Sequence, residues 1–144
     1  GLGSPVGAVL AGSRDFIEEA WRYKQRFGGA MRQAGIIAAG GVYALRHHVE
    51  RLAEDHARAR SLADGLAGLR GITLDPARVE TNIVIFDVSE TGLTAAEFND
   101  RTVASHGVRF SVLAPSTVRA VTHLDISSAG VSQAIEAART AVAR

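Results

Sequence analysis

Residues 79–88 read Val-Glu-Thr-Asn-Ile-Val-Ile-Phe-Asp-Val, a β-branched, largely apolar run of the length of one strand. Beyond it, Thr94 to His106 has helical periodicity, and Gly107 supplies a C-terminal stop. Val108 to Leu113, the turn Ala114-Pro115-Ser116-Thr117 and Val118 to Ser127 together read as a β-hairpin. A last helix is expected over Val131 to Arg144. The order β-α-β-β-α from about residue 79 predicts a small α+β domain, a sheet with helices on one face.

N-terminal to that strand the pattern turns helical. Arg14 to Phe27 carries Phe16, Ile17, Ala20 and Trp21 at helical spacing, with Ser13 placed to cap its start and Gly28-Gly29 to end it. Ala30 to Leu45 is small and apolar, and a helix so rich in glycine calls for close packing against another backbone, so a buried helix is expected there. Leu45, Val49, Leu52, His56, Ala59, Ala63 and Leu66 then follow steps of four and three, with charged residues on the other faces. That spacing predicts one long amphipathic helix ending near Gly68 and Gly71.

Composition narrows the function. At 144 residues the chain amounts to one ordinary domain, given roughly 100 to 200 residues per domain. Sixteen basic against fifteen acidic residues, interspersed, give no electrostatic footprint for nucleic acid or an anionic membrane. The absence of cysteine removes disulfides, thiol catalysis and Cys-ligated zinc, and makes the cytoplasm the default compartment. The opening GLGSPVGAVLAG is too short to span a bilayer, and its glycines miss the G-x-G-x-x-G spacing because Val6 occupies the third position. Lys24 is the only lysine, so it is the one internal candidate for Schiff-base chemistry.

Period-two alternation divides the last predicted strand. Val118, Ala120, Thr122, Leu124 and Ile126 share one face, expected to be core, and Arg119, Val121, His123 and Asp125 share the other. That second face is either a plain solvated surface or an anion site in which Arg119 grips a carboxylate with its planar fork. A hydrolytic triad through His123 and Asp125 lacks a serine in a G-x-S-x-G context. His48 and His56 stand two helical turns apart, too far to share a metal. The run Glu50 to Arg60 reads as a solvated face with intrahelical pairs. Asn82, inside an apolar strand, is either a satisfied structural amide or a site residue. Gly28-Gly29-Ala30-Met31-Arg32 is either a simple interhelix turn or, with free N–H groups at a helix start and Arg32 beside them, a phosphate site.

Five strings carry a resemblance. In order, GLGSPVGAVLAGSRDFI (1–17), GGAMRQAGIIAAGGVYAL (28–45), VERLAEDHARAR (49–60), TNIVIFDV (81–88) and VRAVTHLDIS (118–127) resemble the C-terminal part of the low-specificity L-threonine aldolases, pyridoxal-phosphate enzymes of fold type I. The resemblance implies an α/β protein overall, with residues 1–46 ending the large cofactor-binding domain, 47–71 a long connecting helix and 72–144 the small α+β domain. In the family the motif is Ser-Lys-Gly-Leu-Gly-(Ala/Ser)-Pro-Val-Gly, so the Schiff-base lysine is expected immediately before Gly1, and these residues alone are expected to be inert. Lys24 lies one place before the position, here Gln25, where the family usually carries an active-site lysine.

By the same resemblance, Arg119 binds the substrate α-carboxylate, and Arg32 reaches the cofactor phosphate, in this family from a neighbouring subunit. Gly1 lets the backbone approach pyridoxal 5'-phosphate closely, and His123 buttresses Arg119. The implied reaction is retro-aldol cleavage of L-threonine, L-allo-threonine and related β-hydroxy-α-amino acids to glycine and an aldehyde, in a homo-oligomer, tetramer or dimer. Another type I enzyme acting on amino acids, a β-eliminating lyase or a racemase, would use the same lysine and arginine. A non-catalytic interaction module accounts for the composition equally well.

Overall fold

The computed structural model describes residues 1–143 and holds five α-helices and three strands: α1 (Arg14–Arg26), α2 (Gly35–His47), α3 (Leu52–Ala67), β1 (Ile83–Asp87), α4 (Ala95–His106), β2 (Ser111–Val112), β3 (Thr117–Val121) and α5 (Ser128–Val142). The chain divides into two compact units, Leu2–Glu50 and the residues from Arg51 onward, the latter counted with Gly1. Among the described residues no helix is long and apolar enough to cross a membrane.

The second unit has its own core. Its antiparallel sheet has the order β1-β3-β2, with Ile83 opposite Val121, Ile85 opposite Arg119 and Asp87 opposite Thr117. Val84, Phe86, Val118 and Ala120 point inward to meet Leu62, Leu66, Phe98, Val131 and Ala138 from the helices. Phe86, Phe98 and Phe110 form a three-ring cluster with every pair of centroids 5.8 Å apart. Helix α3 meets α5 at Gly65, where a Cβ would lie 2.4 Å from the Ile135 side chain, so a larger residue there would force Ile135 to shift.

Local chemistry sets the boundaries of α4. Thr94 accepts from the Glu97 backbone N–H, and the Glu97 carboxylate accepts in return from the Thr94 N–H, which satisfies two orphan donors at the helix start. Gly107, with φ at 68°, takes the left-handed conformation that closes the other end. At the start of α5, Ser127 accepts from the Gly130 N–H, so this helix begins at Ser128, three residues earlier than its periodicity predicts.

Both hairpin strands are shorter than expected. The Phe110 N–H donates to the Asn99 side chain of α4 instead of entering the ladder, which leaves β2 with two residues. β3 stops at Val121: the Ile126 N–H turns back to the His123 carbonyl, and Leu124 is left 43% exposed instead of joining the core. Among the described residues the outer edge of β1 is joined to the rest only by an isolated bridge between Thr73 and Asp87.

Of the long helix expected over 47–71, α3 forms Leu52–Ala67; the glycine-rich helix before it, α2, runs on to His47, and a turn over 48–51 separates the two. No glycine or proline marks the break; the His48 ring instead bonds the Leu2 carbonyl, a contact from 46 residues away. On α3 the buried stripe is Asp55, Ala59, Leu62, Ala63 and Leu66: Ala59, Ala63 and Leu66 are buried as their spacing predicts, whereas His56 is exposed and Asp55 and Leu62 join the interior.

The first unit differs in kind. α1 buries no residue and α2 buries only Ala44, so the expected buried glycine-rich helix is largely open, with Ile36 90% exposed. Its start also falls at Gly35 and not at Ala30. Close packing is present where the opening segment crosses the helix: a Cβ on Gly40 would lie 3.2 Å from Ser4 and 3.4 Å from Pro5, and one on Gly7 3.1 Å from the Ile37 side chain.

Candidate functional site

Strand β3 occupies the centre of the sheet, and its alternation sends Val118 and Ala120 into the core and Thr117, Arg119 and Val121 to the open face. Residues directly opposite one another in an antiparallel pair share a face. Arg119 therefore stands beside Ile85 of β1 and Ser111 of β2, with the pair Ile83 and Val121 next along. Ile83, Ile85 and Val121 are exposed, so the arginine rises from an apolar floor.

Among the described residues no carboxylate forms an ion pair with Arg119, and its Nε is buried without a hydrogen-bond acceptor. The acid on the same face, Asp87, is engaged elsewhere. Its carboxylate accepts from the Ser116 hydroxyl at 2.5 Å and from the hydroxyl and N–H of Ser89. These bonds, that of Ser116 first, hold the Asp87 carboxyl below the usual aspartate range and keep it ionised. A buried donor of a charged group left unsatisfied costs free energy that an incoming anion recovers.

Asn82 and His123 flank the far end of β3 in different ways. The Asn82 amide donates to the Thr122 carbonyl at 2.7 Å, and the Thr122 N–H donates to the Asn82 carbonyl at 2.9 Å, so Asn82 extends the ladder by one pair as a satisfied structural amide. His123 lies past the strand end, half exposed; its Nδ1 accepts from the Asp125 N–H at 3.3 Å and sits 3.6 Å from the Asp125 carboxylate. No hydrogen bond joins it to Arg119 among the described residues.

Behind Thr122 lies a group of residues that the charge pattern conceals. Asp55, expected on a solvated face, is completely buried and receives both guanidinium arms of Arg51, at 2.9 and 3.1 Å, with Arg58 at 3.5 Å. The fork to Asp55 holds the Arg51 guanidinium even more firmly protonated than usual. Thr122 Oγ1 donates to the Asp55 carbonyl at 2.7 Å. The one available signal was Thr122 itself, a hydroxyl at core parity in an apolar strand, which demands a buried partner.

The remaining candidates lie in or before the first unit. Arg32 is exposed, three residues ahead of α2, after a turn in which Gly28 has φ at 74°. The N-cap of α2, Ala34, offers no side-chain acceptor, so the first-turn N–H groups lack a capping partner. Uncapped helix donors and an arginine without an ion pair fit a phosphate group. Lys24 lies elsewhere, its ammonium 5.1 Å above the Trp21 ring. Gly1 is exposed, with nothing within 4 Å of a Cβ built on it.

Comparison with known proteins gives the class. Over residues 1–91 the chain matches the family described as Beta-eliminating lyase, and it belongs to that family. Its relatives include the low-specificity L-threonine aldolase 1 of Arabidopsis thaliana, 36% identical over 131 residues, which are 91% of this chain and 37% of that protein. The low specificity L-threonine aldolase of Escherichia coli strain K12 is 42% identical over 127 residues, 88% of this chain and 36% of that one. A probable low-specificity L-threonine aldolase 2 of Arabidopsis thaliana is 37% identical over 131 residues, again 91% and 37%. The chain thus spans little more than a third of the length of these relatives.

Proposed function

We propose that this chain is the C-terminal part of a pyridoxal-phosphate-dependent aldehyde-lyase of fold type I that cleaves L-threonine and related β-hydroxy-α-amino acids to glycine and an aldehyde. On this reading the first unit ends the large cofactor domain, and the unit from Arg51 onward contains the small α+β domain. The lysine that carries the cofactor comes from outside these residues, a reading supported by Lys24's place over Trp21 and by the length of the relatives. The observation that carries the proposal is Arg119: a cation with no anion among the described residues, its Nε buried, on an apolar sheet face.

Each residue's part follows from its chemistry. Arg119 takes the substrate carboxylate in a two-pronged fork, which fixes both the position and the rotation of the amino acid. Ile83, Ile85 and Val121 keep water from the pair and so strengthen it. Arg32 and the uncapped first turn of α2 reach the phosphate of a cofactor held by a neighbouring subunit. Pyridoxal phosphate, when bound, supplies the electron sink for the charge left at Cα as the Cα–Cβ bond breaks.

The test is Arg119→Lys in the holoenzyme, with glycine and acetaldehyde measured from L-threonine. A point ammonium loses one charge-assisted bond of the fork, so KM rises about 10- to 100-fold and kcat falls as well. Unchanged kinetics would make Arg119 a surface residue and end the assignment. An α-keto acid and ammonia as products would favour β-elimination, the chemistry that the family's description names.

A further inference from the structure

Downstream of Arg119 the central strand is thinly held. β2 pairs only with Val118 and Arg119, so Ala120, Val121 and Thr122 have a neighbouring strand on one side alone. Thr122 holds this end of the strand with three hydrogen bonds. Its N–H and carbonyl pair with Asn82, and its hydroxyl bonds the Asp55 carbonyl in the first turn of α3. That turn is itself fixed by the fork between Arg51 and the buried Asp55.

Register is what such a pin would protect. A slip of one residue between β3 and β1 would exchange the faces of the strand, sending Arg119 into the core and Val118 and Ala120 outward. Valine has nearly the shape of threonine and would fill the same space, so the hydroxyl is not needed for packing. A buried ion pair such as Arg51–Asp55 is likewise a poor source of net stability, whereas fixing one arrangement among several is a use to which such pairs are put.

We propose that Thr122, clamped between Asn82 and the Asp55 carbonyl of the Arg51-braced turn, is a positioning residue that sets Arg119 for the substrate carboxylate. This rests on the reading of Arg119 given above. The experiment compares Thr122→Val, Thr122→Ser, Arg119→Lys and the double variant Arg119→Lys/Thr122→Val in the holoenzyme, with cofactor content followed by its visible absorbance.

Thr122→Val raises KM for L-threonine about 3- to 10-fold, the loss of one neutral hydrogen bond, with kcat within about twofold and cofactor content unchanged. Thr122→Ser, which keeps the hydroxyl, restores KM to within about twofold. In the double variant the valine adds nothing to the effect of the lysine, because Thr122 acts through Arg119. A wild-type KM in Thr122→Val beside a raised KM in Arg119→Lys overturns the proposal and leaves the arginine's assignment standing. Multiplying effects in the double variant overturn it too, while unchanged kinetics in Arg119→Lys remove the reading beneath it. If Thr122→Val fails to load cofactor, Asn82→Ala decides: a raised KM supports the positioning role and a wild-type KM overturns it.

Discussion

The two units of this chain solve different problems. From Arg51 onward, sheet and helices close on a shared core that includes Leu62, Leu66, Phe86, Phe98, Val118 and Ala138. Between Leu2 and Glu50 only Ala44 is buried, and Phe16, Trp21, Ile36 and Tyr43 remain exposed. The first of these segments encodes its own stability, whereas the second encodes a surface. An apolar surface of that kind gains free energy only when something covers it.

Three substitutions sharpen that contrast. The largest effect is expected for Phe98→Ala, which empties the centre of the three-ring cluster and costs about 3–5 kcal/mol in urea unfolding of the chain. A loss below about 1 kcal/mol would mean that the core of the second unit does not carry its stability. Asp87→Asn tests the same unit through pH. Because the folded carboxyl titrates below its unfolded value, its contribution is fully present above the ordinary aspartate pKa of about 3.9 and fades as pH falls through the folded value. Unfolding curves from pH 7 down to pH 3 should therefore show the wild type ahead of Asp87→Asn at neutrality, with the gap closing below about pH 4. A gap that widens with acid would reverse the assignment of the Ser116 and Ser89 bonds. The smallest effect belongs to Ile36→Ala in the first unit, under about 0.5 kcal/mol in the chain alone, since this side chain is almost fully solvated. A loss above about 2 kcal/mol would show that α2 is packed after all.

What was legible in the sequence follows from the same physics. The helix Ala95–His106 could be read because its determinants, Thr94, Glu97 and Gly107, lie within or beside it. The outward place of Arg119 could be read because a strand alternates whatever surrounds it. The place of the break between α2 and α3, over 48–51 and not at Leu45, could not, since residues 48–51 are compatible with a helix and the contact made there reaches back to Leu2. Asp55 was hidden for a similar reason. In a charged run it is indistinguishable from Glu54 beside it, and only the arrival of Thr122 from 67 residues away makes one of them interior. The strand end after Val121 likewise depends on Asn82, 40 residues distant.

The open border of β1 matters for how such a protein must be made. Apart from the single bridge at Asp87, this border presents unpaired backbone donors and acceptors, and Ile83 and Ile85 stand on the adjoining face. An uncovered strand beside exposed isoleucines is a template on which further strands can add. During synthesis this border is therefore open to strand addition from other chains for as long as nothing lies against it.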